Sequence, residues 1–193
     1  MATVNIMIVG VGGQGSLLAS KLLGAVASRS GYDVKVSEVH GMSQRGGSVV
    51  TYVRFGEKVY SPLICEGEAD FVISFEKMEG ARYISFLKPE GTLIVNTQEI
   101  APMGVLTSEK LYPHAILDKY GAPKLTVCQP DALSPALSLG SAKAVNMVLM
   151  GYFAKQLHLF SFEAWQEAIR ETVRPAFREM NQKAFLLGYE MSK

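Results

Sequence analysis

A glycine-rich turn between a predicted strand and a predicted helix constrains the fold of this chain more than any other feature. Residues 4–9, Val-Asn-Ile-Met-Ile-Val, form a short apolar run that is typical of a buried strand. Residues 10–15, Gly-Val-Gly-Gly-Gln-Gly, follow directly, and residues 16–28 then carry apolar side chains at helical spacing. A strand, a glycine turn and a helix in this order predict the first unit of an α/β fold.

The rest of the chain alternates between strands and helices in the same way. Further strands are predicted at residues 33–39, 71–75, 92–96 and 124–128, and helices at residues 76–87, at 141–156 with Ser141 as N-cap, after 161, and from 175 to a stop at Gly188. Residues 48–55 alternate apolar and polar side chains, and a return strand at 58–61 would complete a β-hairpin. We therefore predict one domain over residues 1–193, with a Rossmann-like, mostly parallel sheet, helices on both faces and a β-hairpin insertion.

Charge and hydropathy argue against several classes of partner. Nineteen basic and eighteen acidic residues leave a net charge of +1 without a basic run, whereas nucleic-acid binding normally needs a basic face. No apolar segment approaches the roughly 20 residues of a membrane span. The N-terminus has no basic segment before its apolar run, so it does not resemble a signal peptide. We expect a cytoplasmic protein that binds neither nucleic acid nor a membrane.

The glycine turn fits the G-x-G-x-x-G pattern through Gly10, Gly12, Gly13 and Gly15, with Gln14 inside it. Glycines allow the backbone to approach a ligand closely, and the helix N-terminus that follows favours an anion. Glu38, near the end of the second strand, has the position that binds ribose hydroxyls in dinucleotide enzymes. Local physics therefore suggests an NAD or FAD site, with a tight strand-to-helix turn that binds no ligand as the alternative.

A second loop follows Glu38 and does not look like that of a dinucleotide dehydrogenase. Arg45 is followed by two glycines, and its guanidinium suits a carboxylate, a phosphate or a partner's backbone. We expect the two glycine-containing loops to meet and to complete a cleft whose reactive groups belong to another polypeptide. The candidate contact residues of this loop are Glu38, His40, Gly41, Ser43, Gln44, Arg45, Gly46 and Gly47.

These two loops together resemble a known family. The glycine turn, followed by Ser-Glu-Val-His-Gly-Met-Ser-Gln-Arg-Gly-Gly-Ser-Val-Val-Thr at residues 37–51, is similar to the γ-type domain of 2-oxoacid:ferredoxin oxidoreductases, and within that family to the β subunit of indolepyruvate ferredoxin oxidoreductases. The similarity covers nearly the whole chain. Glu76, Asn96 and Asn146 also match and are expected to support the site, whereas Cys65 stands where the family pattern has proline.

The resemblance implies an accessory subunit. The holoenzyme would oxidise an aryl-2-oxoacid such as indolepyruvate to an acyl-CoA and CO2, with CoA as co-substrate and ferredoxin as electron acceptor. Thiamine diphosphate, Mg²⁺ and [4Fe–4S] clusters are expected on a larger α subunit. Two cysteines, Cys65 and Cys128, are too few for a cluster. We expect no bound cofactor, no metal and no catalytic residue on this chain alone.

Several alternatives remain open at this point. The chain could instead be a free-standing NAD- or FAD-dependent oxidoreductase, or a non-catalytic scaffold that only stabilises its partner. The loop at residues 10–15 could bind a phosphate-bearing ligand such as part of CoA, or could contact the partner. Glu38 and Glu76 could pair with Arg45 or Arg54, or could orient the second loop.

Overall fold

A computed structural model describes residues 3–41, 46–107, 111–120 and 124–192. The candidate residues Ser43, Gln44 and Arg45 lie outside these ranges. The strands are β1 Val4–Val11, β2 Asp33–His40, β3 Ser48–Gly56, β4 Ala69–Ser74, β5 Leu87–Val95 and β6 Thr126–Cys128. The α-helices are α1 Ser16–Arg29, α2 Lys77–Arg82, α3 Met103–Leu106, α4 Leu133–Ser138, α5 Val145–Leu157, α6 Phe162–Thr172 and α7 Arg178–Met191. Short 3₁₀ turns occur at Ile84–Phe86, Ala142–Ala144 and Pro175–Phe177.

These strands form one sheet in the order β2-β3-β1-β4-β5-β6. The strands β1, β4, β5 and β6 pair in parallel, whereas β3 runs antiparallel to both of its neighbours, β1 and β2. The predicted α/β class with a mostly parallel sheet is therefore confirmed. The carboxyl ends of the parallel strands and the amino end of β3 lie at the same edge of the sheet, which we call the carboxyl edge.

The predicted hairpin at residues 48–61 is wrong in its second half. Residues 57–61 form no strand, and β3 instead pairs along its length with β1 on one side and β2 on the other. Val50, Val53 and Phe55 are buried, as expected for a central strand that is covered on both faces. The antiparallel strand β3 is thus a central strand of the main sheet and not part of an inserted hairpin.

One face of the sheet packs against the long helices α1, α5, α6 and α7. A predicted helix stop at Gly188 is wrong, because α7 continues to Met191. A Cβ on Gly188 would lie 1.8 Å from the carbonyl oxygen of Val148, and one on Gly151 would lie 2.0 Å from that of Phe185. The two glycines therefore serve the close packing of α5 against α7.

The opposite face is covered by shorter elements. α2, the 3₁₀ turn Ile84–Phe86 and the segment around Leu117 pack over β1, β4 and β5. The helix predicted at residues 76–87 is therefore shorter than expected. α2 ends at Arg82, a 3₁₀ turn follows it, and Leu87 is already extended at the start of β5. Similarly, Ser141 does not cap α5 with its side chain, since a 3₁₀ turn precedes that helix. No helix in the described ranges has the length and apolar character that a bilayer crossing requires.

Candidate functional site

The two glycine-containing loops meet at the carboxyl edge, as the sequence predicts. The Gly12 N–H donates a hydrogen bond to the Gly47 carbonyl oxygen at 2.8 Å, and the Gly46 N–H lies 3.5 Å from the Gly12 carbonyl oxygen. The cause is the register of β1 with β3, which places Val11 opposite Ser48. Gly10 lies within β1 opposite Val49, so the whole turn leaves the sheet beside the second loop.

Gln14 stabilises the glycine turn at residues 10–15 through hydrogen bonds of its side-chain amide. Its side-chain oxygen accepts a hydrogen bond from the Val11 N–H at 2.7 Å, and its side-chain nitrogen donates to the Phe75 carbonyl at 3.0 Å. The same nitrogen lies 3.5 Å from Oε1 of Gln98. With both ends of its amide bonded to the protein, Gln14 shapes the turn and ties it to the end of β4.

Gly15 closes the turn against a buried asparagine. Its φ of 89° lies in the left-handed region, and an added Cβ would stand 2.3 Å from Nδ2 of Asn146. That nitrogen donates weakly to the Gly15 carbonyl at 3.4 Å, while Oδ1 of Asn146 accepts from the Met147 N–H at 2.8 Å. Asn146 therefore lies behind the glycine turn and fixes its distance from α5.

Asn96 supports the neighbouring strand ends. It is fully buried, with its amide nitrogen 3.3 Å from the Phe75 carbonyl and its oxygen accepting from the Ala132 N–H at 3.1 Å. These contacts join the ends of β4 and β5 to the start of α4. Of the two asparagines, Asn146 therefore contacts the glycine turn directly, whereas Asn96 contacts the backbone that follows the neighbouring strands.

Clefts open around the described parts of the two loops, and we name three of them. The β2-side cleft, about 400 Å³, has the glycine turn, the first residues of α1, Glu38, His40 and Val49 as its lining. Glu38 is exposed and accepts a hydrogen bond from Thr51 Oγ1 at 3.4 Å. His40 is also exposed, and its Nδ1 lies 3.1 Å from the Gly41 carbonyl. The N-terminus of α1 favours an anion here, but the Glu38 carboxylate opposes one at the far side of the cleft.

The α5-side cleft lies on the other side of the glycine turn and measures about 400 Å³. Its lining includes Gly13, Gly15, Gln98, Lys143 and Asn146, and none of the described residues of this lining is a carboxylate. Lys143 is exposed and adds a positive charge to that of the α1 N-terminus. An anionic group therefore fits this cleft better than the β2-side cleft.

The α2 cleft, about 500 Å³, begins at Gly46, Gly47 and Ser48 and runs along α2. Glu76 forms its floor and is 1% exposed. One carboxylate oxygen caps α2 by accepting from the Glu79 N–H at 2.8 Å, and the other accepts from the Ile100 N–H at 3.1 Å and from the Tyr112 hydroxyl. Burial, and then the bond to Glu76, raise the pKa of Tyr112 well above its usual value.

One of the open alternatives, a pairing of Glu38 or Glu76 with Arg54, is not formed. Arg54 donates to Oδ1 of Asn5 at 2.8 Å and to the Leu63 carbonyl at 2.8 Å, at the edge of the sheet opposite the site. The antiparallel course of β3 explains this, because it carries Arg54 away from the loop that Ser48 adjoins. Pairing with Arg45 concerns a residue outside the described ranges.

A second buried carboxylate, that of Glu79 on α2, was not predicted from the sequence. Glu79 is 5% exposed and accepts a hydrogen bond from Ser48 Oγ at 2.5 Å, while Nε of Arg82 lies 3.4 Å from its other oxygen. The signal was present as Glu76, Glu79 and Arg82, which are spaced three residues apart on one face of a helix.

The thiols of this chain do not fit an iron–sulfur cluster. Cys65 is exposed, Cys128 is half-buried, and both are free, whereas a [4Fe–4S] cluster needs about four thiolates or close substitutes. Among the residues with described positions, no group of three or more His, Cys, Asp or Glu side chains is arranged to hold a metal ion.

Comparison with known proteins adds a family. Residues 5–191 match the profile of the family named pyruvate ferredoxin/flavodoxin oxidoreductase. The indolepyruvate oxidoreductase subunit IorB of Thermococcus kodakarensis is 41% identical, over 100% of this chain and 98% of that protein. The solved γ subunit of a keto/oxoacid ferredoxin oxidoreductase from Geobacter sulfurreducens has a TM-score of 0.74 at 23% identity, over 97% of this chain and 96% of its own. The 2-oxoglutarate:ferredoxin oxidoreductase of Magnetococcus marinus, solved with 2-oxoglutarate, coenzyme A and succinyl-CoA bound, has a TM-score of 0.75 at 17% identity, over 100% of this chain and 31% of its own.

Proposed function

Because the chain belongs to the pyruvate ferredoxin/flavodoxin oxidoreductase family, we propose that it is the accessory subunit of an oxoacid:ferredoxin oxidoreductase, built as one γ-type domain over residues 1–193. The observation that carries the proposal is the hydrogen-bonded contact between Gly12 and Gly47. It brings two loops together at the carboxyl edge, where open α/β sheets bind their ligands.

The proposed substrate is an aryl-2-oxoacid such as indolepyruvate, which the complex would convert to an acyl-CoA and CO2 with ferredoxin as electron acceptor. Support comes from the 41% identity with an indolepyruvate oxidoreductase subunit over its whole length. Thiamine diphosphate with Mg²⁺ would supply the decarboxylation chemistry, and [4Fe–4S] clusters the electron path, both on a larger α subunit. Two free cysteines, which persist in a reducing compartment, fit a cytoplasmic location and leave the clusters to the partner.

Within that complex, the described residues would bind and orient, without a catalytic step of their own. The α1 N-terminus and Lys143 at the α5-side cleft favour a phosphate of CoA, since both contribute positive charge there and the described lining of that cleft contains no carboxylate. Glu38, His40, Gly41, Gly46 and Gly47 would contact the substrate region or the larger subunit. Ser43, Gln44 and Arg45 complete this proposed set.

A free-standing dinucleotide enzyme is less well supported by the fold. In a Rossmann domain the strand that carries the ribose-binding acid lies next to the first strand. Here β3 lies between β1 and β2, which places Glu38 two strands, or about 10 Å, from β1. Calorimetry of the isolated chain with NAD, NADP and FAD should show no micromolar binding, and a clear micromolar isotherm would revive the alternative.

The proposal is tested by reconstitution. The chain is to be co-expressed with a candidate larger subunit that has motifs for thiamine diphosphate and iron–sulfur clusters, purified anaerobically and assayed with indolepyruvate, CoA and a ferredoxin surrogate. We expect a stable complex whose turnover is lost when this chain is omitted and restored when it is added back. Full turnover by the larger subunit alone would refute the proposed role.

A further inference from the structure

A short hydrogen bond joins the second glycine loop to α2. Ser48, the first residue of β3, directly follows Gly46 and Gly47, and its hydroxyl donates to Oε2 of Glu79 at 2.5 Å. Hydrogen bonds to an ionised, buried acceptor are among the strongest that proteins make. The Glu79 side chain is 6% exposed, so water competes little for this bond.

Glu79 is itself held from two directions. Its backbone N–H donates to the Glu76 carboxylate at 2.8 Å, which fixes the first turn of α2. Its second carboxylate oxygen faces Nε of Arg82 at 3.4 Å, and this cation offsets the burial of the negative charge. Tyr83 adds a hydroxyl 3.4 Å from Ser48 Oγ. The carboxylate therefore presents a fixed acceptor to Ser48.

The same connection continues to the first glycine turn. Gly47, next to Ser48, accepts the hydrogen bond of the Gly12 N–H at 2.8 Å. A displacement of Ser48 would move the Gly47 carbonyl and break this bond. The contact between the two glycine loops thus lies directly beside Ser48, whose carboxylate partner is on the opposite side of β3 from the β2-side cleft.

We propose that Glu79, acting through Ser48, is a positioning residue that holds the second glycine loop against the first and so sets the shape of the site. The inference rests on the proposed function only in its consequence for turnover. Its structural half, the dependence of the Gly12–Gly47 contact on Glu79, stands on the geometry of this chain alone.

The structural half is tested by amide hydrogen exchange of Gly12, measured by NMR on the full chain. Ser48→Ala and Glu79→Ala should accelerate exchange by about tenfold, which corresponds to roughly 1.4 kcal/mol. Ser48→Thr keeps the hydroxyl and should restore slow exchange. Ser37→Ala on β2 is the matched control, because no hydrogen bond is described for its hydroxyl. Exchange in Ser48→Ala and Glu79→Ala equal to that in Ser37→Ala would overturn the proposal.

The functional half is tested in the complex with the larger subunit. Ser48→Ala should raise the KM for CoA or the oxoacid by about tenfold, with kcat less affected, since the loop orients and does not react. Ser48→Thr should return KM to normal, which a general loss of folding would not do. Accelerated Gly12 exchange with unchanged kinetics would sustain the positioning role and count against the proposed function of the loops. Unchanged exchange with altered kinetics would overturn the positioning role.

Discussion

The amide of Gly12 donates a hydrogen bond to the carbonyl of Gly47 across a distance of 2.8 Å. These residues are far apart in sequence, and the antiparallel return of β3 beside β1 brings them together. The bond joins the glycine turn at residues 10–15 to the second loop, whose sequence contains Arg45. A site that is built from two such backbone segments is sensitive to small shifts of either one.

Gly15→Ala should destabilise the chain more than Gly13→Ala. Both glycines have positive φ, 89° and 101°, so both substitutions introduce backbone strain of about 1–2 kcal/mol. Only the Gly15 Cβ would meet a neighbour, Asn146 Nδ2 at 2.3 Å, which should add about 1 kcal/mol. Urea unfolding of the isolated chain measures both. Adding Asn146→Ala to Gly15→Ala should remove the clash, and equal losses for the two glycines would contradict this account of Gly15.

Gln14→Ala should lower the free energy of unfolding by about 1–3 kcal/mol, because it leaves the Val11 N–H without its partner and removes the shorter of the two bonds to the Phe75 carbonyl, which keeps the one from Asn96. Gln166→Ala is the matched control, since no partner for its side-chain nitrogen is described in the structure. The two variants are compared by denaturant unfolding. Decreases of similar size in the free energy of unfolding of the two variants would show that Gln14 does not stabilise the turn.

Tyr112 makes the stability of the chain sensitive to alkaline pH. Burial, and then Glu76, raise its pKa above the ordinary value of 10.0, so folding favours the protonated phenol. This contribution is complete below about pH 10 and is lost as pH rises further, because the unfolded chain then loses its proton first. Thermal unfolding between pH 8 and 11 should show a smaller alkaline decrease for Tyr112→Phe than for the wild type.

Tyr60→Phe supplies the control for the alkaline experiment. Tyr60 is 85% exposed, so it lacks the burial that surrounds Tyr112 in the folded chain. Its substitution should leave the alkaline decrease as it is in the wild type. If Tyr112→Phe and the wild type lose stability in parallel above pH 10, the Glu76–Tyr112 contact is not formed as described.

Arg45→Ala separates a role in the site from a role in assembly. We expect a complex of normal yield whose kcat/KM falls about 30-fold or more, the effect of removing one charged hydrogen-bonding partner worth roughly 2 kcal/mol. Co-purification and steady-state kinetics are measured on the same samples. Arg29→Ala, at an exposed position at the C-terminal end of α1 and so at the opposite end of that helix from the glycine turn, serves as the control. Loss of assembly in Arg45→Ala alone would favour the scaffold alternative.

The first strand, the glycine turn and α1 could be predicted from the sequence because they are local. The periodicity of residues 4–9 and 16–28 and the glycines between them suffice for that unit. The position of β3 could not be predicted, because alternation along a strand does not say which strands flank it. Val50 and Phe55 are buried on opposite faces of β3. Burial on both faces is expected for a strand inside a covered sheet and not for an exposed hairpin.

The site shows the same division. Glycines and Arg45 stand out in a sequence because their chemistry is unusual, whereas Glu79 and Ser48 become significant only through a contact between residues 31 positions apart. Gly188 is the opposite case, a residue that stands out in the sequence but was misinterpreted. Glycine commonly ends a helix, but α7 continues past Gly188, and the close approach of Val148 explains why glycine is present.

The central claim is that the two glycine loops together form the surface that the larger subunit completes. Hydrogen exchange with mass spectrometry, on the chain alone and in the anaerobic complex, tests it most directly. We predict that peptides covering residues 10–15 and 46–49 are both protected on assembly, and more strongly than those covering residues 57–63 at the opposite edge. Protection confined to other surfaces, with both loops exchanging as in the free chain, would contradict the account.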